Sequence, residues 1–364
     1  MEYPEQLSIG IVSLYGHYNY GNRLQSKAIC SLLSKRNIQA IVIDCLPDFK
    51  TRSKQAIKKM LHIRRDPTSR MSSERLARFI EFDGDTQIAH VKMEDLNSDY
   101  CDAFLVGSDQ IWNPSIIRPR LAFLEFAERR QRIAYAPSMA VETVPANLVD
   151  EYRNGLLGFE RLSIREVEGA ATISELINMQ PEVLCDPVMA LEPTEWLEYA
   201  CDSLIPNNDY VFVYALGGTT KETEQVIDNL KKEYQAVVVR LSDKSYEGEI
   251  DAGPADFISL IKHARHVVTD SFHCAAMSIL LGTNLSVFER VENARTFSRL
   301  STLLDTFRLS ECVIGGEAYA DLNPANWIEP DYATIEAERN KLTKYLDNEL
   351  ARVFGESINS DNLR

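Results

Sequence analysis

"LSIGIVSLYGHYNYGNRLQSKAICSLLSKRNIQAIVIDC" (residues 7–45) decides the fold. It opens on an apolar run (7–14), crosses a loop with two glycines, and closes on a second apolar run (39–45). Between the runs, Leu24, Ala28, Ile29, Leu32 and Leu33 recur at the spacing of one helix face. Both runs are largely apolar rather than alternating, which predicts strands covered on both faces of a parallel sheet. Strand, helix, strand in this order is a βαβ unit.

The unit repeats. Further strands are expected at 102–107, 132–137, 161–166 and 181–186, with a connecting helix in "EVEGAATISELINM" (166–179). After the Pro- and Asn-bearing stretch "DPVMALEPTEWLEYACDSLIPNNDY" (186–210) the pattern restarts. Strands at 210–216, 236–242, 266–270 and 285–290 then alternate with helical patterns at 221–234, 254–265 and 274–282. The expectation is an α/β chain of two Rossmann-like domains facing a cleft. The N-terminal domain, residues 1–195, is the acceptor side, and the smaller C-terminal domain, 196–330, is the donor side. A closing helix within 331–364 is expected to pack back on the first domain. Ligands of such sheets bind in the crevice at the carboxyl ends of the strands.

Composition narrows the class. Apolar residues make up 45% and charged residues 26% of the 364, the profile of a soluble globular protein. No apolar stretch is long enough to cross a membrane, and "MEYPEQLSIGIVSL" (1–14) lacks the basic region of a secretory signal, so a cytoplasmic location is expected. Seven cysteines without a CxxC pair fit reduced, mostly buried thiols. A net charge of −15 argues against nucleic acid as a partner, and any anionic ligand needs a local basic pocket. One segment runs the other way: residues 50–70 are strongly basic, with Asp66 their only acid. They form either a solvated helix and loop or a patch touching anionic lipid at the inner face of the membrane.

Residues that can carry chemistry sit at the strand ends. In "HVVTDSFHCA" (266–275), Asp270 or Ser271 can cap the following helix and so place His273 in its first turn, beside Cys274. Unpaired N–H groups there attract phosphate or carboxylate, and the helix dipole favours a ring that accepts a proton. A packed histidine bonded to a neighbouring carbonyl is the alternative. His263, His266 and His273 match no metal-ligand spacing, and no metal site is expected. Arg165 ends a predicted strand, and its planar fork suits a carboxylate or phosphate; Arg295 and Arg299 follow the last strand. Asn22 can cap the helix after the first loop. In "VGSDQIWNP" (106–114), Asp109, Gln110, Trp112 and Asn113 offer a carboxylate, two amides and an indole, a set that suits a sugar. Alternatively Trp112 anchors a turn in the core.

"NYGNRLQ", "FLVGSDQIWNP", "IAYAPSMA", "LSIRE", "CDPVMAL" and "VVTDSFHCAAMSILLG" occur here in an order and spacing that resembles the polysaccharide pyruvyl transferase family. The resemblance runs from about residue 8 to about 310, and "GSDQIWNP" and "TDSFH" are its most specific parts. It implies a GT-B-like fold with phosphoenolpyruvate as donor. Pyruvate would become a cyclic ketal across two hydroxyls of a sugar in a capsule, an exopolysaccharide or its lipid-linked precursor. The family's motif histidine falls on His273 and its donor arginine on Arg165. A further basic residue falls on Arg299, with Arg295 the alternative. Ser271 and Cys274 then frame the donor end of the helix, and His273 is the acid/base. Asp109 serves the acceptor hydroxyl, with Asn22, Gln110, Trp112 and Asn113 on the acceptor side. The implied reaction needs no cofactor and no metal. Many relatives have glycine where this chain has Cys274, whose side chain is expected to narrow the donor site. The competing readings are a GT-B glycosyltransferase using a nucleotide sugar, with Glu289 or Glu292 on the ribose, and a non-catalytic sugar-binding member of a polysaccharide cluster.

Overall fold

A computed structural model of the chain describes residues 6–15, 19–46, 71–242, 249–290, 297–316 and 330–355. The basic segment 50–70, Glu292 and Arg295 lie outside the described residues. In the first half, β1 (Ser8–Val12), β2 (Gln39–Leu46), β3 (Ile88–Lys92), β4 (Ala103–Val106) and β5 (Arg132–Ala134) form one sheet in the order β3-β2-β1-β4-β5. All its pairings are parallel; Ile9 lies opposite Ala40 on one side and Ala103 on the other. A separate parallel pair, β6 (Ser163–Ile164) and β7 (Glu182–Val183), follows. In the second half, β8 (Tyr210–Tyr214), β9 (Val237–Leu241), β10 (His266–Thr269) and β11 (Leu285–Val287) give a parallel sheet in the order β11-β10-β8-β9.

Three helices join the halves. The first, α1 (Tyr20–Ser34), is capped by Asn19, whose side chain accepts a hydrogen bond from the Asn22 backbone N–H at 3.4 Å. Asn22 is therefore inside the first turn and not the cap expected from the sequence. Helix α2 (Ser73–Asp83) crosses to the second half, where it meets α3 (Pro254–His263). Its Arg75 is fully buried and donates to Ser242 O at 2.9 Å and Ile250 O at 2.8 Å. Arg78, one turn along, pairs with Asp256 at 2.9 Å. The Tyr20 ring stacks on Phe257 at 4.7 Å, packs on Phe79 and Tyr214, and donates its hydroxyl to Ala252 O. One apolar core accordingly runs without a break from Ile9 and Leu105 to Phe212, Val267 and Leu280.

The last helix, α4 (Tyr332–Phe354), lies against the first half. Arg36 pairs with Asp347 at 2.6 Å, and Arg352 donates to Arg130 O and Arg132 O. No helix among the described residues is long and apolar enough to cross a membrane. The chain is α/β, two Rossmann-like units whose strand ends face one another, with the final helix packed back on the first.

Two elements fall outside the sequence expectation, and two expected strands change place. β3 is an edge strand with exposed His90 and Lys92, so it lacks the apolar run of a central strand. α2 buries an arginine where a helix stripe normally has leucine, leaving only Phe79 and Phe82 as an apolar signal. The strands expected at 161–166 and 181–186 form, but as their own pair outside the main sheet.

Arg75 is the polar staple between the halves, and its loss removes a donor from one buried and one half-buried carbonyl. Arg75→Leu is expected to cost about 2–4 kcal/mol, read as a lower midpoint of thermal unfolding. A midpoint equal to wild type would remove the staple role.

Candidate functional site

Each sheet has a point where successive connections leave in opposite directions, between β1 and β4 in the first and between β8 and β10 in the second. Crevices open at the carboxyl ends of strands at such points. Here the two crevices face each other. The first contributes the start of α1 and the turn Gly107–Asp109, and the β6 and β7 ends add Arg165 and Asp186. The second contributes Asp270 to His273 at the start of α5 (Phe272–Leu281), and Arg299 on α6 (Ser298–Thr306).

Asp186 is at the centre and wholly buried. Its Oδ1 accepts from Val188 N at 2.9 Å. Its Oδ2 lies 2.6 Å from Arg165 Nη2, 3.2 Å from Ser108 Oγ and 3.4 Å from His273 Nε2. Burial alone would raise this carboxyl; the Arg165 guanidinium, and after it His273, override burial and hold it well below the usual carboxylate range. Arg165 Nη2 also donates to Ser108 Oγ. Ser108 is placed by its turn: a Cβ on Gly107 would overlap the Tyr135 carbonyl, so only glycine lets the backbone pass there.

His273 is held from two directions. Ser271 caps α5, accepting from Cys274 N at 3.4 Å, which sets the imidazole in the first turn, 7% exposed. On its other side, a Cβ at Gly21 of α1 would overlap His273 Nδ1. The ring is thus wedged between the first turn of α1 and the Asp186 carboxylate. Asp270 does not cap the helix; it accepts from Leu216 N and Gly217 N and pairs with Arg290 at 3.2 Å.

Arg299 comes within 3.6 Å of Asp109 Oδ1 across the crevice. Burial pushes its guanidinium down to about 10; Asp109 opposes that shift and the like charge of Arg165 adds to it. Both guanidiniums lie over the Phe272 ring, Arg165 at 4.8 Å and Arg299 at 5.8 Å from its centroid. Behind them Glu166 Oε1 accepts from Met139 N, Ala140 N and Ser138 Oγ, fastening the loop after β5. Burial pushes that carboxyl up, against those N–H bonds and the two arginines.

Several buried polar atoms here have no hydrogen-bond partner: Arg165 Nε and Nη1, Arg299 Nε and Asn22 Oδ1. An unpaired buried donor costs about 1–3 kcal/mol, so their concentration at a strand-end crevice marks a place where a ligand completes the bonding. Most are N–H groups on cations, so the arrangement suits an anion.

Other expected residues are placed elsewhere. Trp112 is fully buried, donates to Ala122 O at 2.8 Å and packs on Phe123 and Phe159; its indole anchors the core and offers no face to a sugar. Asn113 donates to Gln110 Oε1 at 2.8 Å and accepts from Ser115 N, so this pair closes the turn. Cys274 is fully buried in the apolar core, where burial pushes its thiol up. His266 is a core histidine bonded to Ser286 Oγ, and His263 bonds to Ser259 O. Among the described residues, no group of three His, Cys, Asp or Glu could hold a metal ion. Sequence reasoning missed Asp186, Gly21 and Phe272. Asp186 precedes a proline after a strand, which reads as a helix cap, and it is indeed one as well.

Two outcomes follow from this geometry. Gly21→Ala displaces the imidazole, so the His273 ring signals in NMR should move while the fold is kept; unchanged signals would refute the wedge. Asp186 is depressed in the folded state, so its stabilisation is present above the unfolded carboxylate range, near pH 4, and is lost on acidification below it. Unfolding free energy should therefore fall less steeply below about pH 4 in Asp186→Asn than in wild type, and equal slopes would contradict the assignment.

No curated protein matches the chain. Similar solved structures include the N-terminal domain of trehalose-6-phosphate phosphatase from Candida albicans, at 8% identity over 95% of this chain and 96% of that one, TM-score 0.47. UDP-GlcNAc 2-epimerase from Neisseria meningitidis is similar at 12% identity over 95% and 93%, TM-score 0.43. A glycosyltransferase from Rickettsia africae is similar at 11% over 98% and 100%, TM-score 0.43. The polysaccharide pyruvyl transferase family model matches residues 19–290, most of the chain, and takes in Gly21, Asp109, Arg165, Asp186 and His273. The chain belongs to the polysaccharide pyruvyl transferase family, a family of transferases.

Proposed function

We propose that the protein transfers pyruvate from phosphoenolpyruvate to a sugar of a cell-surface polysaccharide or its precursor, forming a cyclic ketal. The observation that carries this reading is the pair of buried arginines, with unpartnered N–H groups, beside a histidine held by Asp186. Phosphoenolpyruvate presents a phosphate and a carboxylate on one carbon. Two guanidiniums converging from opposite halves suit that double charge. Asp109 faces Arg299 at 3.6 Å, and on this reading it turns toward the acceptor when the donor's anion binds Arg299.

In the reaction one sugar hydroxyl bonds to C2 of the donor, and C3 gains a proton to become the methyl group. The C2–O bond to phosphate breaks, the phosphate leaving with the bonding pair. A second hydroxyl then bonds to C2 and loses its proton, closing the ring. His273 delivers the proton to C3 and takes one from an attacking hydroxyl, while Asp186 stabilises the imidazolium between those steps. Arg165 and Arg299 offset the charge that grows on the departing phosphate. Asp109 receives the other hydroxyl proton, and the open Asn22 Oδ1 accepts a hydrogen bond from the sugar. The scheme draws on no cofactor or metal.

His273→Ala should lower phosphate release from phosphoenolpyruvate, with acceptor present, by about 10²–10⁴ without a loss of fold, and Arg165→Lys, which keeps a positive charge beside Asp186, should lower it as well. NMR of the wild-type product should show the methyl signal of a ketal. Full activity in either variant, or stabilisation by a nucleotide sugar and not by phosphoenolpyruvate, would sink the reading. Arg299→Ala should also weaken binding of phosphoenolpyruvate; an unchanged affinity would remove Arg299 from the donor site.

A further inference from the structure

Phe272 makes no hydrogen bond through its side chain, yet two guanidiniums sit over its ring. It is the first residue of α5, 7% exposed, and its ring meets that of His273 edge-on at 5.3 Å and 85°. Arg165 reaches the ring from the end of β6 and Arg299 reaches it from α6, so the two cations approach from different halves of the molecule. Their charges repel, as the downward pull of Arg165 on Arg299 shows. Only Arg165 has a close carboxylate, Asp186 at 2.6 Å; Asp109 stands 3.6 Å from Arg299.

An aromatic face attracts a cation within about 6 Å of its centroid. Unlike a carboxylate, it does so without lone pairs that would consume N–H groups. That difference accounts for an otherwise odd combination in this site: two buried guanidiniums are stabilised, and Arg165 Nε and Nη1 and Arg299 Nε still have no partner. A further carboxylate would have filled those positions, and an aliphatic side chain would leave the repulsion opposed by the carboxylates alone.

We propose that Phe272 is a positioning residue, whose ring holds the Arg165 and Arg299 guanidiniums together by cation–π contact so that both face one doubly anionic donor. The identity of that donor rests on the function proposed above; the clamp itself does not.

The test replaces Phe272 with mono-, di- and trifluorophenylalanine, which keep the ring's shape and progressively weaken its negative face. KM for phosphoenolpyruvate is expected to rise in steps, about tenfold over the series, with a smaller change in kcat and an unchanged melting temperature. Phe272→Tyr should stay near wild type, and Phe272→Leu should lose as much as the trifluoro variant. In the free protein, the Arg165 and Arg299 Nε–Hε NMR signals should be shifted upfield by the ring and return toward ordinary positions in Phe272→Leu. A flat KM across the series, or Leu equal to Tyr, overturns the clamp. So do guanidinium signals that Leu leaves unmoved. Should wild type bind no phosphoenolpyruvate, the function falls separately; the same series titrated with inorganic phosphate then decides the clamp by the same stepwise criterion.

Discussion

A carboxylate removed from water must be paired or it destabilises the fold by several kcal/mol, and Asp186 is removed completely. Its pairing fixes most of what surrounds it. Arg165 must end at Oδ2, which brings the Ser108 turn against the end of β6. His273 must come to the same oxygen, which brings the first turn of α5 from the second half onto the first. The imidazole then occupies the volume beside α1, and position 21 has room for glycine alone. The approach of the two halves at this point follows from neutralising one buried charge.

Three consecutive residues show how tightly packing and site are joined. Tyr20 stacks on Phe257 and donates to Ala252 O, tying α1 to the second half. Gly21 makes room for His273, and Asn22 donates from Nδ2 to Leu14 O while keeping Oδ1 open. The site therefore stands on the start of a long helix whose entry is fixed by the aromatic cluster, not on a free loop. Such backing keeps charged groups near the geometry a reaction needs.

Much of this was legible in the sequence, because central parallel strands are apolar without interruption and glycine, aspartate and serine mark their ends. Ten predicted strands fall within a residue or a few of the observed sheets and pairs, and His273, Arg165 and Arg299 could be picked out at strand ends. What escaped notice depends on tertiary partners. β3 gains its place from β2 alone, along an edge that water can reach. α2 is anchored by Arg75, whose burial is meaningful only once Ser242 and Ile250, far along the chain, present their carbonyls. Trp112 misled because an indole beside amides looks the same in sequence whether it faces a cleft or the core. Asp186 caps a helix turn with one oxygen, and a sequence does not show what the other oxygen does.

The return of α4 bears on how the protein is made. Arg130, Arg132, Arg36 and Tyr135 belong to the first half, and all find partners on residues 332–354. During synthesis the first half leaves the ribosome long before that helix exists. It must wait, with Tyr135 and the backbone carbonyls of 130 and 132 uncovered, until the second half has been translated. Completion of the earliest sheet is thus a late event, and a nascent chain stalled before residue 332 displays a face that the finished protein never shows.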